Sequence, residues 1–117
     1  MREILHKIVA NTPGAKAAVL MGFDGIAVEQ ILAPDADVDI ESMAMEFSFR
    51  FIELRQAAES LEMGELTDIA IKAEHGTFLV RVLNEEFFVA TLLESPGHFG
   101  KGRWMLRSTA NALLAEL

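Results

Sequence analysis

The side chains that could attempt chemistry in this sequence are few, and none stands in a catalytic arrangement. Cysteine and tyrosine are both absent. Thiolate chemistry, a disulfide framework, a zinc knuckle and phenolic acid–base catalysis are therefore excluded. The histidines are His6, His75 and His98. No two of them are four residues apart as a metal-binding helix requires, and no metal site is expected. Ser42, Ser48, Ser60, Ser95 and Ser108 lack the glycine-flanked elbow that exposes a nucleophile. Asp24 precedes Gly25 between two β-compatible runs, where aspartate serves a turn rather than proton transfer. The stretch Gly97–Gly102 carries Lys101, is followed by Arg103 and leads into a helical pattern, so it could be read as an anion site. It fits neither GxxxxGK[ST] nor GxGxxG, and an ordinary helix start is the better reading. Arg50 and Arg55 lie in a long helical pattern and are read as solvated. The expectation is a non-enzymatic chain without cofactor.

The elements around these residues must fit within 117 residues, enough for one domain, 1–117, with one core. Half the residues are hydrophobic and mean hydropathy is +0.27, which is high for so short a chain and points to apolar surface left for an interface. Eighteen acidic against ten basic residues give a net charge of −8. That balance disfavours nucleic acid and anionic membrane surfaces. No run approaches 18 consecutive apolar residues, so no membrane insertion is expected. The first residues, MREILHKIVANTPG, are amphipathic rather than basic and then apolar. The expected location is cytoplasmic.

Along the chain, Arg2 to Asn11 repeats Ile4, Leu5, Ile8 and Val9 at helical spacing and stops at Thr12-Pro13-Gly14. Ala15 to Phe23 and Ile26 to Leu32 flank Asp24-Gly25, a strong hairpin signal. Ile40 to Met63 contains no glycine or proline, with Asp39 as N-cap and Gly64 as terminator. Leu66–Ala73, Thr77–Leu83 and Glu86–Leu93 read as strands separated by His75-Gly76 and Asn84-Glu85. Ser95-Pro96-Gly97 breaks the chain before a last helix from about Gly102 to Glu116. Ala17–Met21 and Phe87–Val89 are continuously apolar, as strands covered on both faces are. Leu66–Ala73 alternates, placing Ile69 and Ile71 on one side and Asp68 and Lys72 on the other, which suits an edge.

At 100° per residue the long helix has two apolar faces. Ile40, Ala44, Phe47, Phe51, Leu54, Ala58 and Leu61 form a stripe suited to a sheet. Nearly opposite lie Met45, Phe49 and Ile52, extended by Gln56. A helix needs one apolar face to cover a sheet, so the second patch is expected to bind protein, either a second copy or another partner. Leu66, Asp68, Ala70 and Lys72 mark the edge strand on which two copies would pair, with Asp68 and Lys72 facing across the join.

The order of elements, the apolar strand ending in Gly22-Phe23-Asp24-Gly25, the long central helix, and Gly100-Lys101-Gly102-Arg103 before the last helix together resemble the roadblock family. That family includes dynein light chains and bacterial MglB-type regulators of small GTPases. The resemblance covers nearly the whole chain. It implies an α/β (α+β) three-layer sandwich with a five-stranded antiparallel sheet of order 2-1-5-4-3. The long second helix then lies on one face and the first and last helices on the other. It also implies a homodimer joined through third strands and long helices, and a non-enzymatic regulator or scaffold for a small Ras-like GTPase, with stimulation of GTP hydrolysis as one form of that role. The alternative is an adaptor in a motor or signalling complex that contacts no GTPase. A ligand-binding sensor ranks last, because the expected core is almost wholly aliphatic or Phe.

Overall fold

The structure, a computed structural model, describes residues 1–94 and 97–117. The elements run α1 Arg2–Asn11, β1 Ala15–Gly22, β2 Ala27–Leu32, α2 Ile40–Ser60, β3 Asp68–Ala73, β4 Gly76–Val82, β5 Phe87–Leu93 and α3 Phe99–Leu114. The five strands form one antiparallel sheet in the order β2-β1-β5-β4-β3. The central pair, β1 and β5, is the most apolar, because its residues are covered from both sides. Alternation sorts them: Ala18, Leu20, Val89 and Leu93 join α1 and α3, whereas Val19, Met21, Phe88 and Ala90 join α2. The expected three-layer sandwich is the observed one.

Leu5, Ile8 and Val9 of α1 and Met105, Leu106 and Leu113 of α3 are buried in one core layer. Each large side chain buried there contributes about 1.5–3 kcal/mol over its exposed state. Gly102 lets α3 approach the sheet closely. A Cβ at this position would stand 2.8 Å from Leu79 Cδ1 and 3.3 Å from Leu93 Cδ1. On the other face α2 packs Ile40, Ala44 and Phe51 onto the sheet. Phe51 meets Phe88 edge-on at 5.4 Å, and Phe47 lies 5.0 Å from Phe78. Ser48 is fully buried beside them, its hydroxyl satisfied by donating to the Met45 carbonyl at 2.7 Å.

Several boundaries differ from those read in the sequence. The α2 helix stops at Ser60 rather than Met63, because Glu62 and Gly64 take left-handed φ of 56° and 88°. The Met63 N–H turns back to the Ala58 carbonyl at 2.9 Å, closing the helix end. The α3 helix begins at Phe99 rather than near Gly102, since His98 is its N-cap and Nδ1 accepts from the Lys101 N–H at 3.0 Å. The expected Ser95-Pro96-Gly97 break falls on residues 95 and 96, outside the described residues. Asp24 serves the turn: its Oδ1 accepts from the Ile26 N–H at 3.1 Å while Gly25 sits at φ 85°.

Asp39 caps α2 as the sequence suggested, accepting from the Ser42 N–H at 3.1 Å and from the Ser42 hydroxyl at 2.8 Å. The backbone hydrogen bond first, and the hydroxyl second, hold its carboxyl below the ordinary aspartate value. A depressed folded value means that this stabilisation is present above the unfolded pKa, about 4. It is lost as pH falls through the folded value. Asp39→Asn keeps a capping oxygen but removes the titration. Acid unfolding followed by circular dichroism is expected to show a flatter loss of stability below about pH 4 in this variant than in the parent chain.

Candidate functional site

At the backbone α2 comes nearest β1 and β2, while its Phe51 and Phe47 reach across to Phe88 of β5 and Phe78 of β4. Its two flanks therefore meet different surroundings. Met45 leans on the β1–β2 turn, where a Cβ on Gly25 would stand 3.2 Å from Met45 Cγ. Next to it on this flank Phe49 is 55% exposed and Met45 42% exposed, and Gln56 is exposed. Ile26, at the same turn, is 67% exposed. Ile52, expected in the same patch, is instead half-buried and packs against the core under α2. The patch is thus Met45, Phe49 and Gln56, with Ile26 added by the turn. Spacing within the helix gave no signal for Ile26, because it belongs to another element.

The opposite flank faces β4 and β3. Phe47 stacks there on Phe78, but Leu54 and Leu61, read as sheet-facing, remain 47% and 71% exposed. They share the Phe47 side of the helix, since residues seven apart return to nearly the same angle. Below this flank Ile69, Ile71, Val82 and Leu92 are only half-buried on the α2 face. Two surfaces result, one on each side of a single helix.

The edge strand β3 hydrogen-bonds to β4 alone. It starts at Asp68, so Leu66 lies before the strand and is half-buried, a correction to the expected Leu66–Ala73 run. The alternation holds: Ile69 and Ile71 pack on the α2 side. Asp68, Ala70 and Lys72 take the other side. Asp68 Oδ2 accepts from Arg103 Nη2 of α3 at 2.9 Å, and Lys72 Nζ stands 4.4 Å from the Phe99 ring centre. Both charges are engaged by α3 within the chain.

Arg50, read as solvated, is exposed and donates only to its own helix, at Glu46. Arg55 departs from that reading. Its guanidinium lies 3.9 Å from the Phe23 ring centre and donates to the carbonyls of Glu85 at 3.0 Å and Asn84 at 3.4 Å. It clamps α2 to the β4–β5 turn and to the end of β1. The turn itself is shaped by Asn84, whose Oδ1 accepts from the N–H groups of Glu86 and Phe87. Among the described residues no group of three or more His, Asp or Glu side chains is placed to hold a metal ion, and no helix is long and apolar enough to cross a membrane.

The sheet order, with one long helix on one face and two helices on the other, is the roadblock arrangement. A crystal structure of MglC from Myxococcus xanthus is 34% identical to this chain, superposes with a TM-score of 0.72, and the match covers 99% of this chain and 98% of that one. The chain belongs to the roadblock family. A Roadblock/LC7 domain from Streptomyces avermitilis is similar in fold, at 16% identity, a TM-score of 0.85 and coverage of 99% and 96%. An MglB in a tetrameric arrangement is also similar, at 18% identity, a TM-score of 0.86 and coverage of 96% and 83%. No family model matches the sequence, and no curated protein does either.

The Arg55 clamp has a measurable consequence. Arg55→Ala removes two hydrogen bonds to carbonyls and one stacked cation, and is expected to lower unfolding free energy by about 1–2 kcal/mol in urea titration. A variant indistinguishable from the parent would mean that the clamp carries no net stability.

Proposed function

We propose that the chain acts as a non-catalytic, homodimeric regulator or scaffold of a small Ras-like GTPase. Two copies pair through β3 and through the Phe47, Leu54 and Leu61 flank of α2, and the Met45, Phe49 and Gln56 flank takes the GTPase. The observation that carries this reading is the unpaired edge of β3, where Ile69 and Ile71 are only half-buried beside the exposed Leu54 and Leu61 of α2. A second copy joined edge to edge at β3 brings a second α2 beside that edge. Exposed Leu54 and Leu61 then meet their counterparts in a twofold contact, as symmetric dimers require. Membership of the roadblock family supports the same pairing, and the tetrameric arrangement of one MglB shows that a similar fold assembles through its surfaces.

Separation of the two flanks supports different roles for them. A surface turned toward the β1–β2 turn stands away from the β3 edge and stays free in such a dimer. Met and Phe at its centre suit a partner contact, since flexible and aromatic side chains dominate interface energetics. The GTPase as occupant of that surface rests on the family resemblance.

The test is calorimetric titration of the chain with candidate Ras-like GTPases loaded with GDP or with a GTP analogue. Binding is expected in one nucleotide state in preference to the other. Phe49→Asp is expected to weaken it about tenfold or more while leaving the dimer intact, and Leu54→Asp to shift the chain toward monomer. Absence of binding in both nucleotide states would replace the GTPase reading with that of an adaptor. Loss of the dimer on Phe49→Asp would overturn the assignment of flanks.

A further inference from the structure

On the sheet face opposite α2, the β3–β4 edge and the start of α3 enclose a groove of about 600 Å³. Its charge runs against that of the molecule. Three arginines, Arg81, Arg103 and Arg107, and one acid, Asp68, line it, in a chain whose net charge is −8 and which has six arginines in all. Arg103 is paired to Asp68 at 2.9 Å. Neither Arg81 nor Arg107 has an acidic partner among the described residues. Arg81 stands on β4 with its Nε buried and without a hydrogen-bond acceptor. A charged group with a buried donor left unmet is unfavourable as it stands. Trp104 stands in the wall of the groove 58% exposed, the largest side chain of the sequence left half in water.

We infer that this groove binds an acidic peptide segment of a partner protein, its carboxylates received by Arg81 and Arg107 and an apolar side chain laid on Trp104. Arginine forks pair with carboxylates in two parallel hydrogen bonds, and Trp and Arg are the residue types in which interface energy concentrates. Leu79 and Leu106 beneath the groove are already buried, so the apolar contact it offers the segment is Trp104. A nucleic acid would also supply anions. Its phosphates, however, continue past a short groove onto a surface with eight more acids than bases, where they are repelled. A peptide can confine its charge to the length of the groove. The site lies behind the sheet from both α2 flanks, and it stands whether or not the GTPase reading does.

The full chain would be titrated into a short fluorescein-labelled peptide of alternating Glu and Leu around one Phe, with anisotropy as the readout. Two further probes are the same peptide with Gln for every Glu and a single-stranded oligouridylate of the same length. Saturable binding of the acidic peptide is expected, with both other probes about tenfold weaker or more. Arg107→Glu and Trp104→Ala, both exposed positions whose fold is checked by thermal unfolding, are each expected to weaken it about tenfold. Phe49→Asp should leave it unchanged. Raising salt from about 50 to about 300 mM should weaken the acidic peptide and not the Gln form. No saturable binding of the acidic peptide, equal binding of the Gln form, tighter binding of the oligouridylate, or indifference to Arg107→Glu would each overturn the proposal.

Discussion

Width governs this fold. Five strands about 4.8 Å apart make a sheet roughly 20 Å across between its outer strands, whereas one helix with its side chains covers about 10–12 Å. The face bearing α1 and α3 has two helices and is largely closed. The face bearing α2 has one, which buries β1, β5 and the middle of β4 and leaves the outer strands β2 and β3 partly open. At the β3 edge the chain alone does not close its apolar face.

The side chains on both sides of that gap are consistent with it. Phe78 and Val80 of β4 are buried on the α2 side, yet Ile69 and Ile71 of β3 stay half-buried. Above the gap α2 keeps Leu54 and Leu61 apolar though exposed. Such a row of aliphatic residues beside an unpaired strand edge is costly in a monomer, since it invites association. In a pair joined at β3 the same residues become interior. The charges of β3 fit too, because Asp68 and Lys72 are drawn to α3 and leave the α2 side of the strand purely apolar.

Much of this was legible in the sequence. Period and turn chemistry gave all eight elements, and continuous against alternating apolar runs separated the central strands from the edge strand. The two-faced character of α2 was readable from angle alone. What angle could not give was where the helix sits on the sheet. Leu54 and Leu61 belong to the sheet-facing stripe by period and still face water, because they sit to one side of the buried line through Ile40, Ala44 and Phe51. Ser48 is polar by type and yet fully buried, since its hydroxyl is satisfied one turn back and its small size suits contact with the Gly25 turn. Arg55 looked solvated because its acceptors, two backbone carbonyls of a distant turn, leave no mark in side-chain spacing. The groove between β3, β4 and α3 was invisible for the same reason, as Arg81 stands on β4 while Arg103 and Arg107 stand on α3.

The claim that two copies meet at β3 is tested most directly by hydrogen exchange at the amides of Asp68–Ala73 in the full chain. An edge strand in a monomer has amides that point away from β4 into water, and these exchange at the rate of an unstructured peptide. Pairing with a second β3 protects them to the level of β4. Protection of every amide along Asp68–Ala73 is the predicted result, and rapid exchange of the outward-pointing set would contradict it.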